Sequence, residues 1–147
     1  MAATRQATAT WQGDLNNGSG TVSSGTTDRF ADLPTTWASR VEDPQGRTSP
    51  EELLAAAHAS CFSMAFSNNL AKAGFPPEHV EVTADVTIDK RDSGMTVTTS
   101  ALTVRARVPN IDEAAFQEAA EGAKDGCPIS KALKDNVALS VQATLES

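Results

Sequence analysis

The chain has 147 residues and a formal net charge of −7, with 39% hydrophobic and 21% charged residues. This length fits one domain over residues 1–147, and the composition is that of a globular protein rather than a disordered or fibrous one. The negative charge disfavours nucleic acids and anionic membrane surfaces as partners, because both repel it.

The first third of the chain predicts strands joined by turns. Ala7, Ala9 and Trp11 alternate with polar residues, as in a half-buried strand, and residues 20–25 form a second strand, so a hairpin is expected. Residues 28–48 predict one further strand and a loop. The first residues have no apolar run of the length that a secretory signal needs, and the expected location is the cytoplasm.

A long helix is predicted next. Ser49 is its N-cap, Pro50 its first residue and Glu52 its third, which together are typical of a capping box. Apolar residues lie nearly all round the helix over residues 53–66, so it is predicted to be central and buried. It ends at Gly74.

The remaining residues predict an antiparallel hairpin, two helices and a closing strand, which is an α+β layout. The apolar phase of the second hairpin strand changes near residues 99–101, so a bulge is expected there. The predicted elements are strands over 79–90 and 95–108, a helix over 113–124 capped by Asp112, a short helix from Pro128 and a strand over 137–146.

The chain's two cysteines and two histidines, Cys61, Cys127, His58 and His79, lack the spacing of a metal site, so no metal is expected. The sequence has no glycine-rich phosphate loop, and no organic cofactor is expected either. Cys61 alone fits a packed core residue. Cys127 precedes Pro128 and so lies near a helix N-cap, where a thiolate is favoured. Two interpretations of these cysteines remain open: a redox-active dithiol, and two unrelated core residues.

Two further polar side chains are candidates for a role in chemistry: His58, three residues before Cys61, and Glu51, at the start of the predicted helix. His58 shares a helix face with Cys61; a satisfied packing residue is favoured over a catalytic base. Glu51 is not committed to capping, and an arginine upstream can hold it bidentately and lower the pKa of a nearby thiol. The upstream arginines are Arg29, Arg40 and Arg47.

The stretch "TSPEELLAAAHASCFSMA" at residues 48–65, followed by "GCPISKAL" at 126–133, closely resembles the family of osmotically induced protein C (OsmC) and organic hydroperoxide resistance proteins. The resemblance extends to the N-terminal "WQGDLNNGSGTVS", and the N-terminal half resembles the OsmC branch because it has no glycine-flanked arginine loop. The resemblance implies antiparallel sheets around a long central helix, in an intertwined homodimer. It implies a thiol peroxidase that reduces organic hydroperoxides to alcohols, and hydrogen peroxide less well, in oxidative and osmotic stress defence.

By position, Cys61 matches the peroxidatic cysteine of the family, Cys127 the resolving cysteine and Glu51 the site carboxylate. Arg40 is the best match for the family arginine, with Arg47 as the alternative. The implied cycle passes through a Cys61 sulfenic acid and a Cys61–Cys127 disulfide, which an external dithiol, for example of lipoyl type, must reduce. The apolar walls of the substrate site are expected from Leu54, Phe62, Met64 and Phe66.

Glu51 and Cys61 are ten residues apart on one predicted helix, and so roughly 15 Å apart along its axis. A glutamate side chain does not reach that far. We therefore expect Glu51, with Arg40, to serve the Cys61 of a second subunit.

Two other functions remain as alternatives. The first is a Cys–His hydrolase or acyltransferase with Cys61 as nucleophile and His58 as base. The second is a non-catalytic ligand-binding protein that uses the same fold.

Overall fold

The computed structural model describes residues 1–147, which divide into two units, Met1–Leu53 and Leu54–Ser147. The boundary between the units lies inside the long predicted helix. The single domain expected from chain length stays a prediction.

The first unit contains an antiparallel sheet of strands β1 (Ala7–Gln12), β2 (Ser19–Ser24) and β3 (Leu33–Thr35), in that order. The predicted hairpin and the further strand are both confirmed. A short helix α1 (Trp37–Val41) follows, at a position where the sequence predicts only a strand and a loop. Thr36 and Ser39 form a reciprocal capping box that starts this helix.

Helix α2 (Pro50–Lys72) begins and ends where the sequence predicts. The Glu52 amide donates to Ser49 Oγ at 3.1 Å, but the Glu52 carboxylate accepts from the Thr48 hydroxyl at 2.6 Å rather than from the Ser49 amide. Only half of the predicted capping box therefore forms. At the other end Gly74 has a φ of +92°, which lets the chain turn back and close the helix.

One face of α2 is buried and the opposite face is open. The fully buried residues recur every fourth position, at His58, Phe62, Phe66 and Leu70. The exposed face carries Ala57, Ser60, Met64 and Asn68. The apolar sequence predicts a helix that is buried all round, but within one chain only one face of α2 is buried. No helix of the chain is both long and apolar enough to cross a membrane.

The second unit contains a sheet of strands β4 (His79–Arg91), β5 (Gly94–Arg107) and β6 (Ala138–Glu146), in that order. Strands β4 and β5 form the predicted antiparallel hairpin. Their register shifts between Thr87 and Ile88, which leaves Thr98 of β5 as the extra residue, one position before the predicted bulge.

The closing strand departs from the expected antiparallel pairing, because β6 runs parallel to β5. The chain returns to the same end of the sheet through helices α3 (Glu113–Gly126) and α4 (Pro128–Leu133), and such a crossover connects parallel strands. Asp112 caps α3 as predicted, with its carboxylate accepting from the Ala115 amide at 2.8 Å. The α+β class is confirmed.

The core of the second unit joins α2, α3 and β5. Phe66 of α2 lies with its ring centroid 5.6 Å from that of Phe62 and 5.4 Å from that of Phe116, the second pair edge to face. All three rings are fully buried. Burial of each contributes about 1.5–3 kcal/mol, so this cluster fixes α2 against α3.

Gly74 and Gly126 offer a matched test of the helix ends, because an added methyl group meets nothing within 4 Å at either position. Only Gly74 has a positive φ. Gly74→Ala is expected to lower the free energy of unfolding by about 1–2 kcal/mol. Gly126→Ala is expected to leave it unchanged or to raise it by up to about 1 kcal/mol. Urea titration measures both, and equal effects would contradict this account of the α2 terminus.

Candidate active site

Cys61 lies on α2 beside the buried stripe, is half-buried, and lines a pocket of about 410 Å³. The pocket is open to small molecules and is bounded by residues of α2 and α3 and by the start of α4. Its other lining residues include Met64, Asn68, Gly122 and Pro128. A thiol in this position is accessible to a small substrate while being partly shielded from water.

Cys127 is fully buried at the junction of α3 and α4, where it caps both helices. Its sulfur accepts a hydrogen bond from the Ser130 amide at 3.4 Å, so the predicted N-cap position is confirmed. Both cysteines are free, and Cys127 lies close enough to Cys61 to raise the pKa of its thiol. The structure therefore brings together the two cysteines singled out from the sequence.

The surroundings of Cys61 within one chain oppose ionisation. Burial raises the pKa of the Cys61 thiol, the Ile129 backbone N–H opposes this by hydrogen bonding, and neighbouring Cys127 raises the pKa further. No cation is among these influences. A reactive thiolate at Cys61 therefore needs a positive charge from outside this set of groups.

Arg40 and Glu51 form a bidentate ion pair in the first unit. The Arg40 Nε lies 2.9 Å and 3.1 Å from the two carboxylate oxygens of Glu51, and Nη2 lies 2.8 Å from Oε1. Glu51 is only 7% exposed. Arg47, the alternative arginine, is exposed in a loop. Arg40 is therefore the arginine that the structure pairs with Glu51.

An apolar pocket of about 410 Å³ adjoins Arg40. Trp37 lies under the guanidinium, with the Arg40 Cζ 5.7 Å from its ring centroid. No local sequence pattern indicates this pocket, because its residues come from three strands, a loop and two helix starts. Its apolar lining residues include Ala9, Trp11, Leu15, Val22, Trp37 and Leu53.

The predicted apolar walls are partly wrong. Phe62 and Phe66 belong to the buried stripe of α2 and are fully inside the core, so they line no pocket. Leu54 lines neither of the pockets described above. Met64 is 69% exposed and does line the pocket at Cys61.

His58 is fully buried, and both of its ring nitrogens have hydrogen-bond partners. Nδ1 lies 2.6 Å from Ser100 Oγ and Nε2 lies 2.8 Å from Ser130 Oγ. The expected satisfied histidine is confirmed, and neither nitrogen is free to take a proton from Cys61. This geometry counts against the Cys–His hydrolase. No three histidine, cysteine or acidic side chains gather into a group that could ligate a metal.

The fold and the site define an α+β protein with two neighbouring cysteines. One cysteine lies on a long helix, and the other caps the start of a later, short helix. A family model described as OsmC-like protein matches residues 43–142. The chain is 43% identical over 144 residues to Peroxiredoxin OsmC of Escherichia coli (strain K12), a match that covers 97% of this chain and 98% of that protein. This protein belongs to the OsmC-like family, as its cysteine motifs predict.

Two further comparisons agree. The chain is 31% identical over 101 residues to Organic hydroperoxide resistance protein-like 2 of Staphylococcus saprophyticus, which covers 67% of this chain and 68% of that protein. The crystal structure of the organic hydroperoxide resistance protein OhrB of Bacillus subtilis superposes with a TM-score of 0.70 at 25% identity, over 95% of this chain and 98% of that one.

The buried His58 predicts a pH-dependent stability. Burial lowers the pKa of His58 below its ordinary value of 6.5. The unfolded chain therefore binds more protons below about pH 6.5, and the free energy of unfolding falls as the pH drops through this range. The contribution of one such group is at most about 1.4 kcal/mol per pH unit.

Urea titrations at about pH 7.5 and 5.5 measure this dependence in wild type, His58→Gln and His79→Gln. His58→Gln is expected to flatten the dependence, because the substituted side chain does not titrate. His79 is exposed, so His79→Gln is the matched control and is expected to keep the wild-type slope. An unchanged slope in His58→Gln would contradict the pKa assignment.

Proposed function

We propose that this protein is a cysteine-based peroxidase that reduces organic hydroperoxides to alcohols, with hydrogen peroxide as a poorer substrate. The observation that carries the proposal is the half-buried Cys61 thiol, which lines a pocket together with Gly126 and Pro128, the two neighbours of Cys127 in the sequence. The 43% identity to a protein named a peroxiredoxin supports the same chemistry. Oxidative and osmotic stress defence is the corresponding physiological role.

The reaction assigns a separate task to each sulfur. The Cys61 thiolate attacks the distal oxygen of the hydroperoxide, the O–O bond breaks, and the departing alkoxide takes up a proton to become the alcohol. Cys61 is left as a sulfenic acid. Cys127 then condenses with it and releases water, and the disulfide protects Cys61 from further oxidation. An external dithiol restores both thiols by exchange.

The thiolate requires a cation, and Arg40 is the group proposed to supply it. Burial raises the pKa of Cys61, whereas a guanidinium at the site stabilises both the thiolate and the charge that develops on the leaving oxygen. Arg40 donates from Nε to Oε2 and from Nη2 to Oε1 of Glu51, and these two hydrogen bonds fix the orientation of the guanidinium.

Arg40 and Glu51 are proposed to act on the Cys61 of a second subunit. Helix α2 is unbroken from Pro50 to Lys72, so Glu51 and Cys61 of one chain are about 15 Å apart along its axis. The exposed face of α2 presents Ala57 and Met64, the latter 69% exposed, among small polar side chains, and we propose that a second chain covers it. A homodimer with shared active sites satisfies both observations.

The apolar pocket beside Arg40 supports the preference for organic substrates. Trp11 and Trp37 present aromatic surface there, and Trp11 is 42% exposed in the single chain. In the proposed dimer this surface would accompany Arg40 to the partner's Cys61. A hydrocarbon group gains about 25 cal/mol for each Å² of apolar surface that it buries, whereas hydrogen peroxide has none to bury.

The thiol cycle is tested by intact-mass measurement after one equivalent of cumene hydroperoxide. Wild type is expected to lose two hydrogens as the disulfide forms. Cys61→Ser is expected to show no change, because the attacking sulfur is absent. Cys127→Ser is expected to consume one equivalent in a single burst and then to stop. Continued turnover by Cys127→Ser, or no mass change in wild type, would contradict the cycle.

The shared site is tested by mixing Arg40→Ala with Cys61→Ser, each of which is expected to be inactive alone. After co-refolding, random pairing makes half of the dimers mixed, and each mixed dimer has one complete site if Arg40 acts across the interface. Peroxidase activity of about a quarter of the wild-type value is therefore expected. Arg40→Ala mixed with the double variant Arg40→Ala/Cys61→Ser is the matched control, in which no complete site can form. No recovery in the first mixture would refute sharing.

A further inference from the structure

A chain of hydrogen bonds leads from the Cys127 thiol into the core of the second unit. Cys127 Sγ lies 3.0 Å from Ser130 Oγ, which lies 2.8 Å from His58 Nε2. On the far side of the imidazole, Nδ1 lies 2.6 Å from Ser100 Oγ. All four side chains are buried, with exposures of 0% or 1%. His58 has no role in the proposed peroxidase cycle, although the Ser130 hydroxyl connects it to the Cys127 sulfur.

The directions of these bonds are coupled, because each hydroxyl has one hydrogen and a neutral imidazole has one N–H. If Nδ1–H of His58 donates to Ser100 Oγ, then Nε2 accepts the hydrogen of the Ser130 hydroxyl. The Ser130 oxygen is then free to accept from the Cys127 S–H. In this arrangement the hydrogens of Cys127 and Ser130 both point towards His58, and the Nδ1–H of His58 points on towards Ser100.

We propose that Ser130 and His58 form a proton relay that activates Cys127 for disulfide formation. This inference rests on the proposed peroxidase function and assigns groups to its second step. Ser130 touches the reacting sulfur and is the catalytic residue of the pair. His58 acts through Ser130 and is a positioning residue that also accepts the proton.

The step balances as follows. The Cys127 sulfur attacks the sulfur of the Cys61 sulfenic acid, the S–S bond forms, and the S–O bond breaks to release hydroxide. The Cys127 proton passes to Ser130 Oγ while the hydrogen of Ser130 passes to His58 Nε2. The hydroxide takes a proton from solvent in the pocket at Cys61 and becomes water. The sulfenic sulfur is reduced and the Cys127 sulfur is oxidised.

The relay is reset when the external dithiol attacks the disulfide at Cys61. Cys127 then leaves as a thiolate and recovers its proton from His58 along the same path. Burial lowers the pKa of His58, so the imidazole is neutral and able to accept before the step. The same desolvation makes the imidazolium give its proton back readily.

Rapid mixing with one equivalent of cumene hydroperoxide, followed by quenching with dimedone, measures the two steps separately. Dimedone labels the sulfenic acid, and intact mass follows the disulfide. Ser130→Ala is expected to form sulfenic acid at the wild-type rate and to form the disulfide at least about tenfold more slowly. Ser130→Thr restores the hydroxyl and is expected to recover the disulfide rate.

His58→Gln tests the imidazole separately from its packing, because glutamine can hydrogen-bond to both serines but does not accept a proton. It is expected to slow disulfide formation and to leave sulfenic acid formation unchanged. Ser63→Ala is the control for loss of a hydroxyl on the same helix, since Ser63 Oγ donates to the Ser60 carbonyl outside the network. It is expected to leave both rates unchanged.

Disulfide formation at the wild-type rate in Ser130→Ala or His58→Gln overturns the relay. Equal slowing of both steps in these variants also overturns it, because that result indicates a general structural role. Absence of any dimedone-labelled Cys61 in Cys127→Ser, where no thiol is present to consume the sulfenic acid, overturns the proposed peroxidase function itself, and so is distinguishable from failure of the relay.

Discussion

The regular turn of helix α2 determines where each of its functional side chains lies. His58, Phe62, Phe66 and Leu70 recur every fourth residue and anchor one stripe of the helix in the core. Cys61 lies next to this stripe rather than within it, so its sulfur stays half-buried at the edge, where Cys127 meets it. The same regularity keeps Glu51 about 15 Å from Cys61 along the axis, which is the basis for the proposal that Arg40 and Glu51 serve a second subunit.

This separation gives the Arg40–Glu51 pair a specific physical role. Glu51 is nearly buried, and a carboxylate in that position is costly unless it is paired. The bidentate geometry satisfies it and restricts the guanidinium to one orientation at the mouth of an apolar pocket. Residues 1–53 thus contain the charged Arg40 guanidinium, the carboxylate that orients it and the apolar pocket beside it. Both sulfurs belong to residues 54–147.

The sequence predicted the features that depend on neighbouring residues and missed those that depend on distant ones. The start of α2 at Pro50, its end at Gly74 and the cap at Asp112 follow from local chemistry, and all three are confirmed. The parallel pairing of β6 and the serine partners of His58, 42 and 72 residues away, are set by tertiary packing. Periodicity alone also does not distinguish a phenylalanine in the core from one in a pocket wall, so Phe62 and Phe66 were assigned wrongly.

The parallel pairing of β5 and β6 has a consequence for how the thiol pair is assembled. Cys127 lies on the crossover connection, which closes only through contacts between distant parts of the sequence, and such contacts form slowly. A newly synthesised chain in which this connection has not closed has Cys61 without its neighbour. In the proposed cycle, a sulfenic acid formed on Cys61 at this stage has no thiol to condense with and is open to further oxidation to the irreversible sulfinic state. Protection of Cys61 in that cycle therefore depends on closure of this connection during folding.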